Sequence, residues 1–185
     1  MRPVAQPLGA LTERYRSSTR RVDFNGDGRE DLLVRSCIYE YPYCDQTAWR
    51  QLLGQPGGTL ALSYDLDMAF GAELPQPGDF NGDHLTDLVF HCLSVLQWCV
   101  AISSGEGGYS MNYGPSGNGY LWYLYLVGDY DGDGFDDLYA MRNSPANWEV
   151  IRGSGTGLTG SAVTTGLSTA GGGWTVTDYN GDLQQ

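Results

Sequence analysis

Nine residues constrain the rest of this chain: Asp129-Tyr130-Asp131-Gly132-Asp133-Gly134-Phe135-Asp136-Asp137, running into Leu138. Oxygen-bearing side chains fall at positions 1, 3, 5 and 9, with a glycine at position 6. A hard cation asks for this pattern, because it takes several oxygen ligands at about 2.3–2.6 Å from one sharply turned loop. The stretch recurs as Asp23-Phe24-Asn25-Gly26-Asp27-Gly28-Arg29-Glu30-Asp31 and as Asp79-Phe80-Asn81-Gly82-Asp83-His84-Leu85-Thr86-Asp87. A fourth copy, Asp178-Tyr179-Asn180-Gly181-Asp182, is cut short by the chain end. The copies start 56, 50 and 49 residues apart. Recurrence at a period near 50 marks a repeat architecture, in which each unit buries its apolar faces against its neighbours. A single Asp/Asn/Gly cluster is an ordinary turn; three in phase are read as cation loops.

The loops and the leucine after each resemble the FG-GAP or VCBS repeat, known from the calcium-binding β-propeller of integrin α subunits and from bacterial secreted proteins. The resemblance covers about residues 20 to 182. It implies an all-β, β-propeller-like fold with one four-stranded blade per repeat and a Ca²⁺ loop between a blade's first two strands. Three full blades and partial terminal strands are expected within a single domain, residues 1–185, with repeats starting near 20, 75, 124 and 173. The implied ligands are Asp23, Asn25, Asp27 and Asp31; Asp79, Asn81, Asp83 and Asp87; Asp129, Asp131, Asp133 and Asp137. The seventh residues, Arg29, Leu85 and Phe135, would contribute backbone carbonyls. About three Ca²⁺ ions are therefore expected. His84 departs from the glycine at position 6. A positive φ is uncommon outside glycine, although His tolerates it better than most, so a weaker second site is expected.

Charge fits this reading. Ten Lys+Arg against 22 Asp+Glu give a formal charge of −12, and three divalent ions would halve it. Phosphate recognition needs a basic surface, so no nucleic-acid partner is expected. No apolar run approaches the roughly 20 residues of a membrane-spanning helix. Residues 1–10 lack the apolar core of a signal peptide.

Each complete loop leads into paired apolar runs of strand type. These are Leu32 to Cys37 with Thr47 to Leu53, Leu88 to Cys92 with Gln97 to Ile102, and Leu138 to Arg142 with Asn147 to Ile151. Glycine-rich turns follow at 54–58, 105–108 and 153–157. Residues 55–64 read as an outer strand, and residues 6–15 resemble them. The N-terminus therefore reads as the tail of a blade, and Trp174 to Asp182 as the start of another. A propeller with open ends exposes strand edges, so either a makeshift terminal blade or a homodimer is expected.

Cys37, Cys44, Cys92 and Cys99 form two pairs with six residues between partners. Two hairpin disulfides, Cys37–Cys44 and Cys92–Cys99, are the reading from spacing. A zinc site is the rival, but it lacks C-x₂-C spacing and histidine ligands. Disulfides and calcium together point to an oxidising compartment, secreted or periplasmic. Trp49, Trp98 and Trp148 recur in phase and are expected in the core. Residues 109–125, rich in Tyr, Gly and Trp, read either as loops that stack on sugar rings or as filling between blades.

No catalytic constellation stands out. His91 reads as structural, and Glu40, Glu73, Glu106 and Glu149 show no paired spacing. Two functions remain open. One is a non-catalytic extracellular module whose calcium is structural and whose faces bind carbohydrate or protein. The other is a Ca²⁺-dependent hydrolase of a small molecule such as a lactone or glycoside.

Overall fold

The computed structural model describes residues 22–37, 47–66, 75–92, 95–117 and 120–168. Eleven strands and no helix occur among them. They are β1 (Leu32–Cys37), β2 (Thr47–Gly54), β3 (Leu60–Leu66), β4 (Gln76–Gly78), β5 (Asp87–Cys92), β6 (Gln97–Ser103), β7 (Tyr109–Ser116), β8 (Tyr120–Gly128), β9 (Asp137–Asn143), β10 (Ala146–Arg152) and β11 (Thr159–Ser168). Three antiparallel meanders result: β1-β2-β3, β4-β5-β6-β7 and β8-β9-β10-β11. Two sheets thus have four strands, as expected, and the first has three described strands. The residues that would supply its fourth, together with both chain ends, lie outside the described residues.

The strands form where apolar and β-branched residues alternate between glycine-rich turns. Period-two geometry sends successive side chains to opposite faces, and the middle sheet is buried on both. All six residues of β5 are buried. Leu88, Phe90, Cys92, Cys99 and Ala101 pack with Phe24 and Trp49 of the first repeat. Val89, Trp98 and Val100 pack the other way, against Tyr120, Tyr125, Val127, Leu138 and Ala140 of the third sheet. The second and third sheets stack in like order, β4 beside β8 and β7 beside β11.

The phased tryptophans are core residues: Trp49, Trp98 and Trp148 are 1, 0 and 3% exposed. Trp98 meets Tyr125 and Tyr120 edge-on, with ring centroids 5.1 and 5.9 Å apart. Part of residues 109–125 is therefore filling between sheets. The segment is mostly strand, β7 and the start of β8, and Tyr120 and Tyr125 are buried between sheets. His91 is buried edge-on to Trp98, 5.3 Å between centroids, and burial favours its neutral form.

Cys92 and Cys99 are joined in a disulfide. Cys44 lies outside the described residues, so the other expected bridge does as well. The two cysteine pairs, alike in spacing, are offset by one residue within their repeats. Cys92 is five residues beyond the last aspartate of its loop, and Cys37 is six beyond its own. In the third sheet the diagonal positions equivalent to Cys92 and Cys99 are taken by Arg142 and Glu149. These are also seven residues apart and form an ion pair at 3.4 Å. Glu149 is 5% exposed and accepts a hydrogen bond from the Tyr120 hydroxyl at 2.5 Å. A buried charge is tolerated only with partners of this kind.

Candidate metal centre

Each acidic stretch is a turn that enters a strand. Its ninth residue, Asp31, Asp87 or Asp137, stands at or just before the start of β1, β5 or β9. The turn is made by two left-handed residues, at positions 4 and 6. Gly26, Gly82 and Gly132 have φ of 72°, 75° and 76°; Gly28, His84 and Gly134 have 78°, 67° and 92°. The backbone therefore does require glycine-like geometry where His84 sits. A left-handed non-glycine residue costs roughly 1–2 kcal/mol. His84→Gly is therefore expected to raise the unfolding free energy by about 1 kcal/mol, less the added freedom glycine gives the unfolded chain. A lower urea midpoint for the variant would reject this account of position 6.

The aspartates first organise the loops themselves. In the third loop, the N–H groups of Gly132 and Gly134 donate to Asp129 Oδ1 and Oδ2 at 2.8 and 3.0 Å. Phe135 N–H donates to Asp133 Oδ1 at 3.0 Å. Tyr130 and Gly153 N–H donate to the two oxygens of Asp137 at 2.8 and 2.7 Å. The second loop repeats the scheme. Gly82 and His84 donate to Asp79, Leu85 to Asp83, and Phe80 and Ser103 to Asp87. The first does likewise, with Gly26 and Gly28 on Asp23, Arg29 on Asp27, and Phe24 and Gly54 on Asp31. The ninth residue thus ties the loop to the far end of the second strand after it.

Burial sets the electrostatics. Asp31, Asp87 and Asp137 are 1, 0 and 1% exposed. Loss of water pushes Asp87 up to about 7 and Asp137 to about 6, and raises Asp31. Backbone N–H donors oppose this, and the carboxylates at positions 1, 3 and 5 reinforce it. A nearby cation would reverse the balance, since an opposite charge favours the ionised form.

The third loop brings together three of its four expected side-chain ligands, Asp133 not being among them. One carboxylate oxygen each from Asp129, Asp131 and Asp137 lies within 4.8 Å of the others. Two oxygens on one Ca²⁺ are separated by at most twice the metal–oxygen distance, about 5 Å, so one ion can touch all three. Asp131 Oδ1 is buried and has no hydrogen-bond partner, an acceptor left over. Its other oxygen is 2.6 Å from Arg152 Nη1, at the end of β10. The donors are hard oxygens, which suit Ca²⁺ and Mg²⁺ over softer metals. Loops one and two have Asn25 and Asn81 at position 3 and so one carboxylate fewer. There the Asn side chains bridge to Asp27 and Asp83 at 3.2 and 2.9 Å. The Arg29 guanidinium also pairs with Asp27, at 2.7 Å. Asp27 is held below the usual carboxylate range, first by the Arg29 backbone N–H.

Two features escaped the reading of residues. Glycine at position 4 recurs in all four copies as Gly26, Gly82, Gly132 and Gly181, so its signal was visible. Position 8 carries an oxygen-bearing side chain in each complete loop, Glu30, Thr86 or Asp136. The contacts of Thr86 and Asp136 run to another loop, which a single loop does not reveal.

In comparison with known protein families, residues 23–90 match the FG-GAP-like repeat, a span that contains the first two loops and the strands between them. No curated protein and no solved structure matches the chain.

Proposed function

We propose that this chain, an FG-GAP-like repeat protein over residues 23–90, is an extracellular calcium-binding β-propeller module. Each sheet is a blade, and each complete loop holds one structural Ca²⁺. The observation that carries the reading is the Asp129, Asp131 and Asp137 cluster, whose oxygens converge within 4.8 Å. Three carboxylates that close repel one another, and at reduced dielectric the repulsion is several kcal/mol. A divalent ion turns that cost into binding energy. Loop positions 1, 3, 5 and 9 would supply side-chain oxygens, and position 7 a carbonyl. When bound, the ion supplies charge neutralisation and fixes the loop.

The protein's own residues do the remaining work. The ninth aspartates anchor each loop to its sheet, and Trp49 and Trp98 pack between neighbouring sheets. The Cys92–Cys99 disulfide supports an oxidising compartment. The functional role is that of a rigid platform presenting its loops and outer faces to a carbohydrate or protein partner. Among the described residues no helix is long and apolar enough to cross a membrane.

The test is stoichiometry. Isothermal titration of chelator-stripped protein should show uptake of about three Ca²⁺ per chain, matching the three complete loops. Uptake of less than one ion per chain at millimolar calcium would overturn the reading.

A further inference from the structure

Position 8 belongs to no ligand set, yet it is the point at which one loop grips the loop before it. Thr86 N–H donates to the Asp23 carbonyl at 2.8 Å, and Asp23 N–H donates back to Thr86 Oγ1 at 2.8 Å. The same clasp recurs one repeat on. Asp136 N–H donates to the Asp79 carbonyl at 2.7 Å, and Asp79 N–H donates to Asp136 Oδ2 at 2.7 Å. The bonded residues are 63 and 57 apart in sequence, so each clasp joins two repeats. Thr86 and Asp136 are 8 and 2% exposed. Position 7 seals the joint. A Cβ on Gly26 would lie 2.8 Å from Leu85 Cδ2, and one on Gly82 would lie 2.6 Å from the Phe135 ring.

We propose that Thr86 and Asp136 are positioning residues for the cation loop of the preceding repeat, and that they couple the occupancy of adjacent loops. This rests on the calcium reading above. The clasp fixes both backbone groups of the first ligand residue, Asp23 or Asp79. The carboxylate of that residue is already aimed by the N–H groups at positions 4 and 6. A ligand held in its bound geometry before the ion arrives loses less freedom on binding. Coupling follows from adjacency. Thr86 is bonded in sequence to Asp87, and Asp136 to Asp137, each the ninth ligand of its own loop. An ion that orders Asp87 therefore orders Thr86, and Thr86 orders Asp23 in the neighbouring loop. By linkage the influence runs equally in both directions.

The experiment needs a separate report from each loop. The amides of Gly26, Gly82 and Gly132 each donate to a first-position carboxylate at 2.7–2.8 Å, so their NMR shifts follow calcium loop by loop. Thr86→Val removes one bond of the clasp while keeping shape. One net hydrogen bond corresponds to about a threefold to tenfold change in affinity. That weakening is expected to be largest at Gly26, smaller at Gly82 through the reciprocal coupling and least at Gly132, and Thr86→Ser should restore it. Asp136→Ala should weaken binding at Gly82, with Asp136→Asn retaining an acceptor and most of the affinity. Asp133→Ala, which removes a ligand of the third loop, should also loosen the second.

Weakening confined to the loop that carries the altered residue would overturn the proposal, as would uniform weakening at all three glycines. If none of the three responds to millimolar calcium in the unaltered protein, the calcium reading itself fails and the coupling falls with it. That outcome is separate from a normal titration in which Thr86→Val has no effect.

Discussion

Removal of calcium is expected to lower the melting temperature of this protein by about 15–30 °C. At free calcium 100-fold above Kd, each site adds about 2.7 kcal/mol, because the ion binds the folded chain alone. Three such sites add roughly 8 kcal/mol, comparable with the whole stability of a typical domain at about 5–15 kcal/mol. For a chain of this size each kcal/mol moves the midpoint by about 2–4 °C. Thermal unfolding followed by circular dichroism, with calcium and with excess EDTA, measures it. A midpoint unchanged after verified removal of the metal would reject structural calcium.

The loss also has a pH signature. Burial raises the folded-state pKa of Asp87 to about 7 and of Asp137 to about 6, from an ordinary 3.8. The folded, metal-free chain thus holds protons that the unfolded chain has already released above pH 4. Linkage then makes stability fall as pH rises. This contribution is complete below about pH 4 and is lost by about pH 7, the window set by those two residues. Calcium works in the opposite sense, since its ligands must be deprotonated. The melting curves with and without metal should therefore diverge between pH 5 and pH 8. Parallel curves would show that Asp87 and Asp137 do not carry this penalty.

The parts of the fold written locally were legible in the sequence. Each loop carries its own turn and its own ligands, and each pair of strands follows within about twenty residues. The tryptophan phase gave the core because Trp49, Trp98 and Trp148 sit at one rung of every repeat. What the sequence left open depends on neighbours in space. Residues 109–125 stood between sugar-stacking loops and filling between blades, and Gly114 sits within β7. A Cβ there would lie 3.1 Å from Leu158 and 3.3 Å from the Trp98 carbonyl, so the glycine permits close packing. Cysteine spacing showed that Cys92 and Cys99 could meet, and the same offsets from Asp137 give Arg142 and Glu149. Only the structure shows that this second pair is an ion pair closed by Tyr120. Thr86 and Asp136 looked like spacers, because their partners are in a different repeat.

Asp137 and Asp133 separate the two tasks of a loop carboxylate, anchoring the fold and holding the ion. Asp137 is 1% exposed and accepts the N–H groups of Tyr130 and Gly153. Asp137→Ala leaves the Gly153 donor buried and the Tyr130 donor half-buried without this partner, at about 1–3 kcal/mol for the buried one and less for the other. Part of that cost is offset, because burial already disfavours the charged carboxylate at neutral pH. A net loss of about 2–4 kcal/mol in metal-free stability is expected. Asp133 is exposed and accepts a single N–H, from Phe135 at 3.0 Å. Asp133→Ala should cost under about 1 kcal/mol without metal, the usual scale for a surface change. Both variants should take up one calcium ion fewer than the unaltered chain. Urea unfolding in EDTA measures the first difference, and calorimetric titration the second. Equal metal-free stabilities for the two variants would remove the anchoring role of position 9. Full stoichiometry in Asp137→Ala would remove it from the ligand set, leaving the buried carboxylate as a clasp between the loop and β10.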